Sequence, residues 1–372
     1  MIIESRWTRI RARIPGLLCL LVLTGILVAG LWPFRGPRNG VTWLGDEHGL
    51  RLSGHATLWS TRLFQTTGRQ GEEVCSLELW LQPGPARDSN TILSFSVPEN
   101  PLRFTLHQYR SLLILDREIQ DGRRRKATIG TEGIFHQTRP VFVTITSGPE
   151  QSAMYLDGAP KRTFPGSRFA EGCAGQLVIG TSPVTDESWA GKLRGLAVYG
   201  QELTAAQVLQ HFDTWTAQGR PELSDDERIV ALYLFDERAG SVVHNAVPAG
   251  PDLYIPKRYA LVHQIFLQPF WEEFVPRRSY WKNLLINIVG LMPLGFVFVA
   301  YWSSVRPIKR ALLVTTLLGF AVSLTIEVLQ SHIPTRDSGT TDLITNTLGT
   351  FLGAKLYDLK FARVLLARIY AA

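Results

Sequence analysis

Hydrophobic positions follow two different regimes along the chain. From Ile14 to Phe34 no residue is charged, and the run is mostly Leu, Val, Ile, Gly and Ala. About 20 residues at 1.5 Å rise cover the ~30 Å hydrocarbon core of a bilayer, so 14–34 predicts a membrane-spanning helix. Three more spans are predicted near the C-terminus: 283–303, 311–331 and 342–359. The first of these is charge-free and the second carries only Glu327, while Tyr357 and Leu359 extend the third past Lys355. Between the two membrane regions the pattern changes. Short alternating or apolar runs recur at Ser76–Leu81, Thr91–Val97, Ser111–Leu115, Val141–Thr146, Ala153–Leu156 and Gln176–Ile179, separated by Gly, Pro, Asn and Asp clusters. Such spacing predicts an antiparallel sandwich or jelly roll over 39–215. Segment 216–280 then reads as a linker, in which 229–236 is either an extra strand of the sandwich or part of the connection to the membrane. Asp157-Gly158 is a hairpin-turn signal. Thr204 caps a short helix to Phe212, with Ala205, Val208, Leu209 and Phe212 on one face.

Charge gives this pattern an orientation. Arg6, Arg9, Arg11 and Arg13 precede the first span, Arg306, Lys309 and Arg310 join the second and third, and Lys360, Arg363 and Arg368 follow the last. By the positive-inside rule the arm 1–13, that loop and the tail 360–372 are cytoplasmic. The sandwich and the loop Ser331–Thr341 then lie outside, as expected of a multi-pass protein of the inner or plasma membrane. A rival reading of 14–34 is a cleaved signal peptide ending near Val28-Ala29-Gly30, although its apolar core exceeds the usual ~7–15 residues. Both readings leave the sandwich outside the cytoplasm.

Composition adds little until it is divided this way. The 372 residues are 45% hydrophobic and 19% charged, which excludes disordered and collagen-like classes. A mean hydropathy of +0.04 averages the two regimes. The net charge of +7 reads as an orientation signal rather than a nucleic-acid surface. Cys75 and Cys173 fall in the outer segment and Cys19 in the first span. The outer pair is either a disulfide of an oxidising compartment or two buried thiols. Arg123-Arg124-Arg125-Lys126 could meet an anionic polymer, but a solvated hairpin tip is the plainer reading. Seven of the eight histidines are scattered through the outer segment, and only His332 falls near the spans. No Walker loop, Cys-x-x-Cys pair or His-Glu-x-x-His occurs, and no metal site or cofactor is predicted.

The last three spans carry the candidate chemistry. Asn283, Asn287 and Gly290 share a helical face at i, i+4, i+7. So do Gly319, Ser323, Glu327 and Gln330, and again Asp342, Asn346, Gly349 and Gly353. In the predicted topology the strongly polar members meet at one level on the outer side, where the loop adds His332, Arg336 and Asp337. Gly290, Gly319, Gly349 and Gly353 read as close-packing positions. Asn and Gln can serve purely as interhelical glue, and Arg336 as a partner of Glu327 or Asp342. Because buried ionisable groups are costly in a bilayer, the functional reading is a polar pocket for a head group. Arg336 suits a phosphate or carboxylate, and Glu327, Asp337 or Asp342 could hold a cation or move a proton.

Two family resemblances rest on particular residues. Gly40-Val41-Thr42-Trp43, Ser76-Leu77-Glu78-Leu79-Trp80, Val141-Phe142-Val143-Thr144 and Tyr155-Leu156-Asp157-Gly158 resemble a LamG-like, concanavalin A-type jelly roll over about 39–250. The segment from Trp189-Ala190-Gly191 through Tyr199 to Leu203-Thr204-Ala205-Ala206 is similar to that family's final strand and helix. The resemblance implies glycan binding, with calcium in some relatives; here Asp88 and Asn90 could offer oxygens, though a solvated loop is the stronger reading. The Glu-x-Asp-x-x-Glu strand of hydrolytic relatives does not occur. Glu72-Glu73 is adjacent and Asp225-Asp226-Glu227 lies in the expected linker, so hydrolysis is not expected.

Asn287 with Pro293-Leu294-Gly295-Phe296, Ile326-Glu327-Val328-Leu329-Gln330, Arg336, Asp342-Leu343-Ile344-Thr345-Asn346 and Gly349 through Gly353 resemble the VanZ-like membrane family over 280–358. Leu31-Trp32-Pro33-Phe34 is similar to the end of that family's first helix. The expected architecture is thus a multi-domain membrane protein, with an all-β sandwich inserted into a four-helix transmembrane bundle. The resemblance implies the cell envelope and a link to glycopeptide resistance, without an agreed reaction. Two functions follow as expectations. One is a non-catalytic envelope protein whose sandwich binds glycan or protein and whose bundle engages a lipid or lipid-linked precursor. The other is a membrane enzyme acting on such a lipid through Glu327, Arg336, Asp342 and Asn346.

Overall fold

A computed structural model describes residues 14–65, 74–86, 88–120, 124–135, 139–169, 173–225, 227–274 and 276–359. The basic arm and tail, Glu72-Glu73, Asp121 to Arg123 and Asp226 lie outside the described residues. The chain forms two compact units, one spanning Gly36–Gln264 and the other joining the residues up to Arg35 to those from Ile265.

The first unit is a sandwich of two antiparallel sheets. One contains β1 (Val41–Trp43), β2 (Leu50–Leu52), β13 (Gly191–Tyr199), β4 (Cys75–Pro83), β9 (Val141–Ser147), β10 (Gln151–Leu156) and β11 (Ala159–Pro165) in that order, with β14 (Ile229–Tyr233) also paired to β13. The other runs β15 (Val242–Val243), β16 (Leu253–Tyr254), β3 (Leu58–Ser60), β12 (Gln176–Ile179), β5 (Ser89–Val97), β6 (Asn100–Tyr109), β7 (Leu112–Gln120), β8 (Arg124–Thr131). Alternation sends Leu77, Leu79 and Leu81 of β4, and Val143 and Ile145 of β9, into the core with Phe95, Phe104, Leu106 and Leu115 of the facing sheet. Between β10 and β11, Asp157 and Gly158 both take positive φ, 50° and 76°, the two-residue turn that the twist of a hairpin favours.

A helix covers the outer face of the first sheet. It is α2 (Ala205–Gln218), preceded in the chain by α1 (Ile14–Leu31). Thr204 and Gln207 form a reciprocal capping box at the start of α2. Its buried side is Val208, His211, Thr214 and Trp215, whereas Ala205 is exposed and Leu209 is 50% exposed. The expected face was therefore rotated. What the helix meets decides this: Phe142, Ala197 and Tyr199 point outward from β9 and β13, and Trp215 lies where a Cβ on Gly195 would be, 2.3 Å from its ring.

The strand expected at 229–236 is present as β14, and the rest of the segment read as a linker adds two more strands to the sandwich. β14 lies antiparallel to β13 with Leu196 opposite Tyr233, and β15 and β16 extend the second sheet beyond β3. Cys75, at the start of β4, is disulfide-bonded to Cys173, just before β12, so the bond links the two sheets. The ends of the unit pair with each other: Arg38 bridges Arg258, and the Tyr259 N–H donates to the Pro37 carbonyl at 3.1 Å.

The second unit is helical. It holds α1, the short α3 (Phe270–Glu273), α4 (Arg278–Ser304), α5 (Ala311–Gln330) and α6 (Thr340–Leu356). α1 packs on α4 and α5, and α6 packs on both α4 and α5. Among the described residues three helices, α1, α4 and α5, are long and apolar enough to cross a membrane. α6 has 17 residues, and at 1.5 Å per residue that is about 25 Å, shorter than the expected span. α4 starts at Arg278, earlier than the sequence pattern placed it, and takes in Tyr280, Trp281 and Lys282.

Glycines set the spacing of these helices. A Cβ on Gly349 would lie 2.2 Å from the Ile288 carbonyl oxygen, and one on Gly353 2.0 Å from that of Met292. On Gly319 it would lie 2.3 Å from Thr350 Oγ1. Gly290 differs from these three: nothing lies within 4 Å, because it opens on a cavity.

Candidate functional site

The polar stripes of α4, α5 and α6 converge on a cavity of about 280 Å³, closed on one side by Ile26, Ala29 and Gly30 of α1. Asn287, Gly290, Glu327, Gln330, Arg336, Asp342 and Asn346 all line it. Asn283 and Asp337 do not. They line a neighbouring cavity of about 370 Å³ with Gln268, Glu272, Glu273 and Tyr280, and Asp342 is shared by both.

Most side-chain donors around the first cavity are held by the protein. Asn287 Nδ2 donates to Asp342 Oδ1 at 2.7 Å, Asn346 Nδ2 to Ser323 Oγ at 3.0 Å, and Gln330 Nε2 to the Gly30 carbonyl at 2.7 Å. Two acceptors are left over: Gln330 Oε1 and Asn346 Oδ1 meet no donor, although the residues are only 8% and 7% exposed. An orphaned buried acceptor costs about 1–3 kcal/mol, so such atoms point to a ligand or bound water. Arg336 sits at the rim, with Nε and Nη2 donating to the Trp32 carbonyl, the former at 3.2 Å.

The loop before α6 is fixed by two carboxylates. Glu327 Oε2 accepts the Gly339 N–H at 2.9 Å, and Glu273 Oε2 accepts the Thr341 N–H at 3.1 Å. Free N–H groups at a helix start favour such anions. Gln268 also pairs with the loop, its N–H donating to the Ser338 carbonyl and its own carbonyl accepting the Thr340 N–H, both at 2.9 Å. The sequence reading missed Gln268 and Glu273. Both lie in a stretch without strand or helix periodicity, and only the fold brings Glu273 to Thr341.

The sandwich has a second candidate. On the outer face of the sheet containing β6, β7 and β8, a cavity of about 280 Å³ is lined by Thr105, His107, Asp116, Glu118 and Lys126, with Ser182 and Glu187 from the loop before β13. Asp116 is its anchor. It accepts from Thr128 Oγ1 at 2.6 Å and Lys126 Nζ at 2.7 Å, with His107 Nε2 at 3.3 Å. Burial opposes its charge, but these three partners outweigh burial and hold the carboxyl at about 2. Lys126, expected at a solvated tip, is therefore tied into this cluster. Asp88 is exposed and Asn90 lies in β5 opposite Gln108. Among the described residues no group of three or more His, Cys, Asp or Glu side chains is placed to hold a metal ion.

A buried charge cluster lies beneath α2. His211 Nδ1 is 2.9 Å from Glu78 Oε1, and its Nε2 is 3.2 Å from Glu227 Oε1. Tyr199 and Trp215 also donate to Glu78 Oε2, at 2.7 and 3.2 Å. Burial disfavours the imidazolium, but the two carboxylates outweigh it and raise the His211 pKa. Burial, together with Glu78, lifts the Tyr199 phenol well above its ordinary value. With side chains fully covered, this cluster fastens the helix rather than receiving a ligand. Glu227 is thus no solvated linker residue: α2 brings His211 and Gln207 to it, Gln207 Nε2 at 3.1 Å.

Two family models match the chain, and one of the matches crosses the boundary between the units. Residues 57–209 match the concanavalin A-like lectin/glucanases superfamily. Residues 232–361 match the VanZ/LLP1 family, a match that begins within β14 of the sandwich. Among solved structures, the chain is similar to the native heptameric SAP-like pentraxin from Limulus polyphemus at 16% identity and a TM-score of 0.35, covering 59% of this chain and 96% of that one. It is similar to the Ruminococcus gnavus IT-sialidase CBM40 bound to alpha2,3 sialyllactose at 12% identity and a TM-score of 0.33, covering 44% and 95%. For the binding domain of Botulinum neurotoxin DC in complex with rat synaptotagmin II the identity is 12% and the TM-score 0.34, over 48% of this chain and 45% of that one. No curated protein matches the chain in sequence.

Proposed function

We propose, for a chain that joins a concanavalin A-like jelly roll to a VanZ-like region, a role as an integral membrane protein of the cell envelope. The helical unit crosses the inner or plasma membrane with both termini in the cytoplasm, and it engages a lipid or lipid-linked envelope precursor. The sandwich lies outside and binds glycan or protein.

One observation carries this reading. The helices are apolar on the outside and polar within: Leu20, Leu21, Leu285, Val289, Leu313, Leu317, Ile344 and Leu348 are exposed, while Glu327, Gln330 and Asn346 are buried around the cavity. In water that arrangement would leave a large apolar surface bare, whereas hydrocarbon satisfies it. Inside hydrocarbon, the same polar groups mark a functional site. For the sandwich, support comes from the superfamily match and from the cavity at Asp116.

The test uses the full chain in detergent, mixed with a total envelope-lipid extract and weighed by native mass spectrometry. Retained lipid is expected, with at least about a fivefold loss in Asn346→Leu. A wild-type protein that retains no lipid, or a variant that retains as much, would refute the reading. A glycan array probed with the same preparation should show saturable binding that Asp116→Ala weakens; a blank array leaves a protein partner for the sandwich.

A further inference from the structure

The cavity's polar atoms are not balanced. Gln330 and Asn346 have spent their N–H groups on Gly30 and Ser323, and each keeps a buried oxygen without a donor. Asp342, which also lines the cavity, accepts from Asn287 through Oδ1. The opposing charge is Arg336 at the rim, where Nε and Nη2 hold the Trp32 carbonyl. The adjoining cavity shares Asp342 and adds Glu272, Glu273 and Asp337 to the same neighbourhood. A bare phosphate or carboxylate in the cavity would place oxygen against these acceptors. A neutral hydroxyl could donate to amide and carboxylate oxygens alike, but it would leave the charge of the carboxylates without a counter-charge.

We propose that this cavity selects a zwitterionic head group whose cation carries N–H donors: a phosphate joined to a primary ammonium, as in an ethanolamine phospholipid. The ammonium donates to Gln330 Oε1, Asn346 Oδ1 and Asp342, and Arg336 takes the phosphate. Size agrees. At about 30 Å³ per water-sized group, a cavity of about 280 Å³ has room for about nine such groups, enough for a phosphate joined to a short aminoalkyl arm. The mouth agrees too, because Gly290 has open space beside it and Ile286, which also lines the cavity, is exposed on α4. An acyl-linked group can therefore enter sideways. The inference rests on the cavity taking a lipid at all, and its test separates the two claims.

The full-length protein in detergent is titrated, by native mass spectrometry, with phosphatidylethanolamine, phosphatidylcholine, phosphatidylglycerol and phosphatidic acid of identical acyl chains. The choline lipid decides most, since it keeps phosphate and cation but has no N–H. The ethanolamine lipid should bind at least about tenfold more tightly than each of the others. Asp342→Asn should narrow its advantage over the choline lipid to about threefold or less, whereas Arg336→Gln should weaken all four together. Equal ethanolamine and choline affinities overturn the proposal, as does tighter binding of either anionic lipid, and both results leave the lipid-binding role standing. Failure of all four to bind overturns the proposal, and the role falls with it if the total extract is also rejected. Water-soluble phosphoethanolamine, added as a competitor, should bind at least about tenfold more weakly; equal binding overturns a lipid as the source. If Asp342→Asn does not fold, the wild-type ratio of ethanolamine to choline lipid decides alone.

Discussion

His211 shows how much one side chain can hold in place. Buried between Glu78 and Glu227, it has a raised pKa because both carboxylates outweigh the cost of burial. A histidine whose pKa is raised on folding contributes stability in full below its unfolded value of about 6.5, and the contribution fades as pH rises through the folded value. The thermal midpoint of the sandwich should therefore fall as pH is raised above about 6.5, and His211→Gln should start lower and lack that slope. A wild-type midpoint that stays level through pH 9 would refute the imidazolium. Glu78→Gln should cost about 3–5 kcal/mol, the usual penalty for removing one partner of a buried charged pair. None of this was legible locally. Glu78 reads as one polar position in an alternating strand, and His211 as one scattered histidine, until α2 lays one over the other.

At the scale of elements, α4 and α6 meet backbone to backbone, and small residues permit it. Gly353→Ala would drive a methyl into the Met292 carbonyl, 2.0 Å away, with no flexible side chain to yield. The cost should be about 1–3 kcal/mol or more, read as a lower unfolding midpoint in detergent. Gly25→Ala, with nothing within 4 Å, is the control and should be neutral. Equal midpoints for the two variants would contradict the close approach. Elements such as these were legible wherever periodicity ran long enough. The i, i+4 spacing placed Asn287, Glu327 and Asn346 on helical faces, and Asp157-Gly158 could be read because a two-residue hairpin demands positive φ at both positions. The two-residue β15 and β16 were not, because period two needs more positions to show itself. The buried side of α2 was misjudged for a different reason: sheet residues far away in sequence select it.

On the scale of the whole molecule, the Cys75–Cys173 bond spans 98 residues and joins the two sheets. In the chain-entropy account a loop of that length is worth as much as ~4.7 kcal/mol, and measured losses are commonly about 2–4. Cys173→Ser should lower the stability of the sandwich by that amount, and a reducing agent should do the same to the wild type but not to the variant. Unchanged stability in both would mean that the core alone suffices. Such a bond also agrees with an oxidising compartment, the side of the membrane proposed for the sandwich.

The pairing of Arg38 with Arg258, and of Tyr259 with Pro37, has a consequence for modularity. A globular body that begins and ends at one point behaves as a cassette: it can be cut out, or spliced into a foreign loop, with only a short stitch to close the gap. The ends were brought together by backbone pairing, and that alone makes the piece portable.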